Sequence, residues 1–149
     1  MIKIIIIEKK DPAMLKACEE IGHLSLPIFY SYNDFINLLN LEKEITIYGG
    51  LIENKNDIVA FAVTTKILDR IHILSIACHP NYRRKNIGSS LINSIKKQNK
   101  NITLYVQCTN INAIDFYEKN SFIKHKREVG YYQNLKDKDA YLMLYINKE

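Results

Sequence analysis

His79-Pro80-Asn81-Tyr82-Arg83-Arg84-Lys85-Asn86-Ile87-Gly88-Ser89-Ser90-Leu91 joins two unlike apolar patterns. Before it, residues 71–78 form an apolar run that reads as a buried strand. After it, Ile87, Leu91, Ile92 and Ile95 recur at helical spacing. Between strand and helix lies a short basic turn with one glycine, Gly88. Such a junction makes a phosphate cradle. The first N–H groups of a helix lack intrahelical partners, and the helix dipole adds partial positive charge there. Arg83, Arg84 and Lys85 add formal charge beside them, and Gly88 lets backbone approach a ligand closely. An exposed basic helix start on an ordinary domain remains the alternative for this stretch alone, because short glycine motifs are weak evidence.

The chain reads outward from this junction as one domain. Residues 1–7 form a strand. Asp11-Pro12 starts a helix, as a cap and a first-turn proline, with Leu15, Cys18 and Ile21 as its stripe and Gly22 as its end. A loop over residues 24–30 is too apolar for simple exposure. A second helix covers about residues 33–41. Residues 45–53 and 58–67 flank a polar turn and form an antiparallel hairpin. The strand 71–78 and the helix 87–98 follow, then a short strand at 102–107 and a helix capped by Asn110 that runs through Lys119. Strands at 122–130 and 140–146 close the chain around Tyr131-Tyr132-Gln133-Asn134. The order βααβββαβαββ predicts an α/β (α+β) domain: one mixed, mostly antiparallel twisted sheet of about seven strands with helices on both faces.

Composition bounds the function. A length of 149 residues suits one domain with a real core, and 47% hydrophobic with 25% charged residues is ordinary globular usage. No apolar run is long enough to span a membrane, and no cleavage-site pattern follows the apolar start, so the expectation is a soluble, cytoplasmic protein. Cys18, Cys78 and Cys108 are an odd number without close spacing. They suggest neither disulfides nor zinc but small core residues. The net charge of +5 permits acidic partners. No platform of interleaved aromatics marks a nucleic-acid reader.

Two motifs carry a resemblance. Arg83-x-x-Asn86-x-Gly88 resembles the R/Q-x-x-G-x-G/A signature of the GNAT (Gcn5-related) acetyltransferases, with Asn86 in place of the first glycine; Asn tolerates a left-handed backbone better than other non-glycine residues. Asn110-x-x-Ala113-Ile-Asp-Phe-Tyr117-Glu-Lys-Asn-Ser-Phe122 resembles the family's N-x-x-A-x-x-x-Y-x-x-x-G-F segment, with Ser121 in place of the glycine. Ala113 and Tyr117 are four apart and share a helix face. The resemblance implies that acetyl-coenzyme A, with no metal, is held by Ile76, Cys78, Arg83, Arg84, Lys85, Asn86, Ile87, Gly88, Ser89, Asn110 and Tyr117. It also implies that the N–H groups near Ile76 and Cys78 bind the developing oxyanion and that Tyr117 protonates the leaving thiolate.

From about Leu26 onward the chain is similar to NatE-type catalytic subunits, which acetylate protein N-termini. This likeness rests on Leu26-Pro27-Ile28, Tyr32-Asn33-Asp34, Tyr82-Arg83-Arg84, Val106-Gln107 and Tyr131-Tyr132. It implies that Pro27, Ile28, Tyr30, Tyr131 and Tyr132 close over the substrate's first residues, Met followed by an apolar residue. Either Tyr30 or Tyr32 matches the family's loop tyrosine. Those enzymes carry Tyr on the strand before the cofactor loop and His on the next strand; here the two positions hold His72 and Tyr105. The expectation is a retained pair with exchanged positions. A free α-amine with a pKa of about 8 is mostly protonated at neutral pH, and a histidine near about 6.5 can take that proton. Transfer is then direct, without an acyl-enzyme, because neither Cys78 nor Cys108 has an activating His-Asp arrangement. The partners this implies are a peptide or protein N-terminus and an auxiliary acetyltransferase subunit or the ribosome. A lysine or small-amine acetyltransferase, or a non-catalytic acetyl-coenzyme A-binding subunit, are the competing readings.

Overall fold

The computed structural model describes residues 1–41 and 44–148. The chain runs β1 (Ile2–Ile6), α1 (Pro12–Ser25), α2 (Tyr32–Leu41), β2 (Ile45–Ile52), β3 (Asp57–Ile67), β4 (Arg70–Cys78), α3 (Ile87–Lys96), β5 (Asn101–Gln107), α4 (Ile111–Lys119), β6 (Ile123–Glu128) and β7 (Ala140–Tyr145). One 3₁₀ turn, Pro80–Tyr82, lies between β4 and α3. The seven strands make a single sheet in the order β1-β2-β3-β4-β5-β7-β6. Every neighbouring pair is antiparallel except β4 and β5. This is the mixed sheet that the pattern of apolar runs predicts.

Strand alternation divides the core between two faces. On one, Ile71 and Ile73 of β4 and Ile102, Leu104 and Val106 of β5 meet α3 and α4 through Leu91, Ile92, Ile95 and Ile114. On the other, Phe61 and Val63 of β3 pack on Leu15, Cys18 and Ile21 of α1 and Phe35 of α2. Each fully buried Ile, Leu or Phe contributes about 1.5–3 kcal/mol. The residues between these apolar ones, His72 on β4 and Thr103 and Tyr105 on β5, are left on the face away from α3 and α4.

Several local expectations differ from the structure. Helix α1 does not end at Gly22 but continues to Ser25, with Leu26 N–H donating to the Gly22 carbonyl at 2.9 Å. Gly22 serves a close approach instead: a Cβ there would lie 3.0 Å from the Phe29 Cβ. Asp11 does not cap α1 with its side chain; its carboxylate accepts from Glu8 N–H at 3.3 Å. Helix α3 stops at Lys96, because Gln98 and Asn99 bond back to Ile95 and Lys96 and tighten the last turn. Only Cys18 is a core cysteine; Cys78 and Cys108 are half-buried.

Candidate active site

The site begins where two strands part. Strands β4 and β5 pair in parallel only from Arg70 opposite Asn101 to Ile73 opposite Leu104. Beyond that point β4 stays with β3, and β5 stays with β7 as far as Gln107 opposite Ala140. A register shift in β3–β4 passes from Ser75 opposite Val63 to Ile73 opposite Thr64, which leaves Leu74 as an extra residue. Such a bulge bends its strand. The β5-facing side of residues 74–78, including the backbone of Ile76 and Cys78, therefore has no strand partner among the described residues. A second tie holds that end of β4 in place: Ser25 Oγ donates to the Cys78 carbonyl at 3.1 Å.

At the head of this split lies the basic loop. His79 is structural, its Nδ1 accepting from Asn81 N–H at 3.1 Å. Arg84 and Asn86 both adopt left-handed backbone, with φ of 62° and 60°. Asn86 thus takes the conformation that a glycine would otherwise supply. Its side chain caps nothing, so the first-turn N–H groups of Ile87, Gly88 and Ser89 remain for a ligand, flanked by the exposed Arg83, Arg84 and Lys85. Gly88 has a cause within the chain itself: a Cβ there would stand 2.8 Å from the Phe116 Cζ. The glycine lets the start of α3 seat against α4.

Helix α4 supplies the opposite wall. Asn110 is its cap, Oδ1 accepting from Ala113 N–H at 3.2 Å. Tyr117 is buried on the face that carries Ile114. Burial, and then the neighbouring Tyr132, raise the Tyr117 pKa well above the ordinary tyrosine value, so it keeps its proton. Ser121 follows the helix at φ 73°. Ser121 N–H donates to the Glu118 carbonyl and Phe122 N–H to that of Tyr117, at 3.1 and 3.0 Å. This is a left-handed helix ending that glycine usually provides.

Four of the remaining predicted residues, His72, Tyr105, Tyr131 and Tyr132, form one aromatic run. The His72 ring meets that of Tyr105 edge-on, with centroids 5.6 Å apart. Tyr105 is stacked under Tyr131, and Tyr131 meets Tyr132 edge-on at 4.9 Å. Tyr30 lies close enough to Tyr131 for that hydroxyl to help burial raise its pKa, with Asp34 adding to the rise. Tyr32 instead has Lys16 over its ring at 5.4 Å. That loop is held by a reciprocal cap: Ser31 N–H donates to the Asp34 carboxylate and Asp34 N–H to Ser31 Oγ. Pro27 and Ile28 are exposed there, Ile28 at 55%, and Ile28, Phe29, Tyr30 and Leu38 line a groove of about 380 Å³.

The electrostatics separate the titratable groups. His72 is 9% exposed, and its pKa is lowered, by burial and then by Arg70. Burial, with Tyr131 and Cys108, pushes the Tyr132 pKa up to about 12. Cys78 donates to the Tyr82 carbonyl at 3.5 Å; burial raises its pKa against an opposing effect of Arg83. Among the described residues no base is hydrogen-bonded to either half-buried thiol. Among the described residues no group of His, Cys, Asp and Glu is arranged to hold a metal, and no helix is long and apolar enough to cross a membrane. The sequence reading missed Arg70, Thr103, Ser25 and Phe116. Period-two alternation puts Arg70 and His72 on one strand face, but only the pairing register sets Thr103 beside them.

Comparison with known proteins places the fold. The acetyltransferase (GNAT) family model matches residues 14–122. N-alpha-acetyltransferase 50 of Danio rerio is 29% identical over 89% of this chain and 82% of its own length. An N-alpha-acetyltransferase of Saccharolobus solfataricus is 31% identical over 83% and 82%. Arabidopsis thaliana Naa50, solved in complex with the bisubstrate analogue CoA-Ac-MVNAL, superposes with a TM-score of 0.78 at 21% identity, covering 96% of this chain and 97% of that one. With its strands parted beside a left-handed basic loop and its family model spanning most of the sequence, this chain belongs to the acetyltransferase (GNAT) family.

Proposed function

We propose that this chain is an N-alpha-acetyltransferase that moves an acetyl group from acetyl-coenzyme A to the free α-amine of a protein or peptide N-terminus, Met followed by an apolar residue. The observation that carries this reading is the aromatic run from His72 through Tyr105 and Tyr131 to Tyr132, set beside the split between β4 and β5. The N-alpha-acetyltransferase relatives and the Met-first bisubstrate analogue bound by the Arabidopsis protein support the same substrate class. A substrate of this kind puts the enzyme where new N-termini emerge, in the cytoplasm.

The residues fit a pyrophosphate-bearing donor: two left-handed residues curve the loop, the first turn of α3 offers N–H groups, and three cations flank it. Acetyl-coenzyme A, when bound, supplies the thioester carbonyl that the amine attacks. Backbone N–H groups near Ile76 and Cys78 offer donors to the developing oxyanion on the unpaired side of β4. His72, kept neutral by burial and Arg70, takes the amine's proton, with Tyr105 edge-on to its ring. Tyr117, held protonated, gives its proton to the leaving thiolate. Pro27, Ile28, Tyr30, Tyr131 and Tyr132 enclose the substrate's first residues.

Acetyl transfer to a panel of free-N-terminus peptides tests the reading, with Met-Leu and Ser-starting members and an α-blocked lysine peptide. Turnover is expected on the Met-starting peptides. Turnover confined to the lysine peptide, or cofactor binding without turnover on any peptide, overturns it. Replacing His72 with Phe is expected to cost ~10²-fold in turnover; a loss below about threefold in a folded variant removes His72 as the base.

A further inference from the structure

A base that takes a proton at one ring nitrogen must have its other nitrogen accounted for. Arg70 and His72 share a face of β4, and the parallel register sets His72 opposite Thr103 of β5. His72 Nδ1 lies 2.7 Å from Thr103 Oγ1. Arg70 Nε–H donates to the same oxygen at 3.3 Å. Thr103 is buried, so one enclosed hydroxyl oxygen meets both a guanidinium and an imidazole.

We propose that Thr103 is a positioning residue that fixes the ring and tautomer of His72, with Arg70 as the charge behind it. The inference rests on the reading of His72 as the base. With Nδ1 against Thr103, Nε2 is the nitrogen left for the cleft. A neutral imidazole has one N–H and one acceptor nitrogen, so Nε2 can accept only if Nδ1 carries the proton. Nδ1–H then donates to Thr103 Oγ1, which has two lone pairs: one for Arg70 Nε–H and one for His72 Nδ1–H. The same bond persists once Nε2 is protonated, so the ring keeps its orientation through the cycle. A proton taken from the amine is not retained, because burial, and then Arg70, disfavour the imidazolium. The groups that face His72 are Arg70 on its own strand, Thr65 on β3, and Thr103 and Tyr105 on β5. Arg70 is the one formal charge among those four.

Two measurements on the full chain test this. Imidazole ¹⁵N–¹H spectra of the wild-type protein, which need no variant to fold, are expected to show neutral His72 with its proton on Nδ1. A wild-type proton on Nε2 overturns the proposal. In steady-state kinetics with the Met-Leu peptide, Thr103→Val is expected to lower kcat ~10-fold with peptide KM within about twofold, as for loss of a partner that orients a catalytic group. Thr103→Ser keeps the hydroxyl and restores kcat. In a His72→Phe background, Thr103→Val costs nothing further, because Thr103 acts through His72. If Thr103→Val stays within about twofold of wild type while His72→Phe loses ~10²-fold, the inference fails and the base reading stands. If His72→Phe itself loses less than about threefold, the base reading fails and takes the inference with it.

Discussion

The ring of Tyr131 lies flat on that of Tyr105, with centroids 4.1 Å apart and 19° between their planes. Tyr131 sits in the connection between β6 and β7, and Tyr105 lies in the middle of β5, so the stack joins a loop to the sheet at the cleft. An aromatic pair contributes about 0.5–1.5 kcal/mol beyond its area. Tyr131→Ala is therefore expected to lower kcat/KM for the peptide up to ~10-fold, mainly through KM. Tyr131→Phe keeps the stack and stays within about threefold. Equal losses in both variants would mean that the hydroxyl, not the stack, carries the effect.

Asp139 holds the same loop from below. Its two carboxylate oxygens accept from Gly130 N–H at 3.0 Å and from Arg127 Nη2 at 2.7 Å. Asp139→Ala is expected to raise the peptide KM several-fold and to leave the acetyl-coenzyme A KM unchanged. A change in the cofactor KM alone would contradict that assignment.

Asn86 supplies a left-handed backbone at the cofactor loop. Asn86→Gly is expected to leave acetyl-coenzyme A affinity within about threefold. Asn86→Val puts a β-branched residue at positive φ, where the cost is roughly 1–2 kcal/mol, and is expected to weaken acetyl-coenzyme A binding about 10-fold by calorimetry. Unchanged affinity for the Val variant would show that the loop's curvature does not form the cradle.

Ser121 carries the same left-handed backbone at the end of α4. Ser121→Gly relieves the left-handed penalty and gives back part of it as chain entropy. The net expectation is a gain of about 0.5–1 kcal/mol, a rise in Tm of roughly 2–4 °C per kcal/mol at this length. Thermal unfolding that shows a lower Tm would refute it.

His72 also links stability to pH. Its folded pKa is lowered, first by burial and then by Arg70, whereas the unfolded residue titrates at about 6.5. As pH falls through that value, the unfolded chain binds a proton that the folded one refuses, so stability is lost on the acid side. Urea midpoints are expected to fall more between pH 7 and pH 5 for the wild type than for His72→Gln. Parallel falls in the two proteins would show that His72 is not the group responsible.

The junction at His79–Leu91 was legible because it is local. Strand, basic turn and helix follow one another within a few tens of residues, and Asn86 and Ser121 stand where short-range backbone geometry demands a left-handed residue. Asn110 was legible as a cap for the same reason. Gly22 misled because its constraint is tertiary: it makes room for Phe29 rather than ending a helix. Gly88 read as a residue for ligand approach, and the structure adds a neighbour, Phe116, that the linear pattern does not contain.

By itself the sequence determined the alternation of elements, the two faces of the sheet and the residue types of the site, because periodicity and turn chemistry are short-range. The tertiary structure alone decided that β4 and β5 part after Ile73 and Leu104, that Tyr131 stacks on Tyr105, and that Arg70 and His72 share the one oxygen of Thr103. Those outcomes depend on strand register and on one extra residue at Leu74. Register is set by packing summed over the whole sheet, so no single segment contains it.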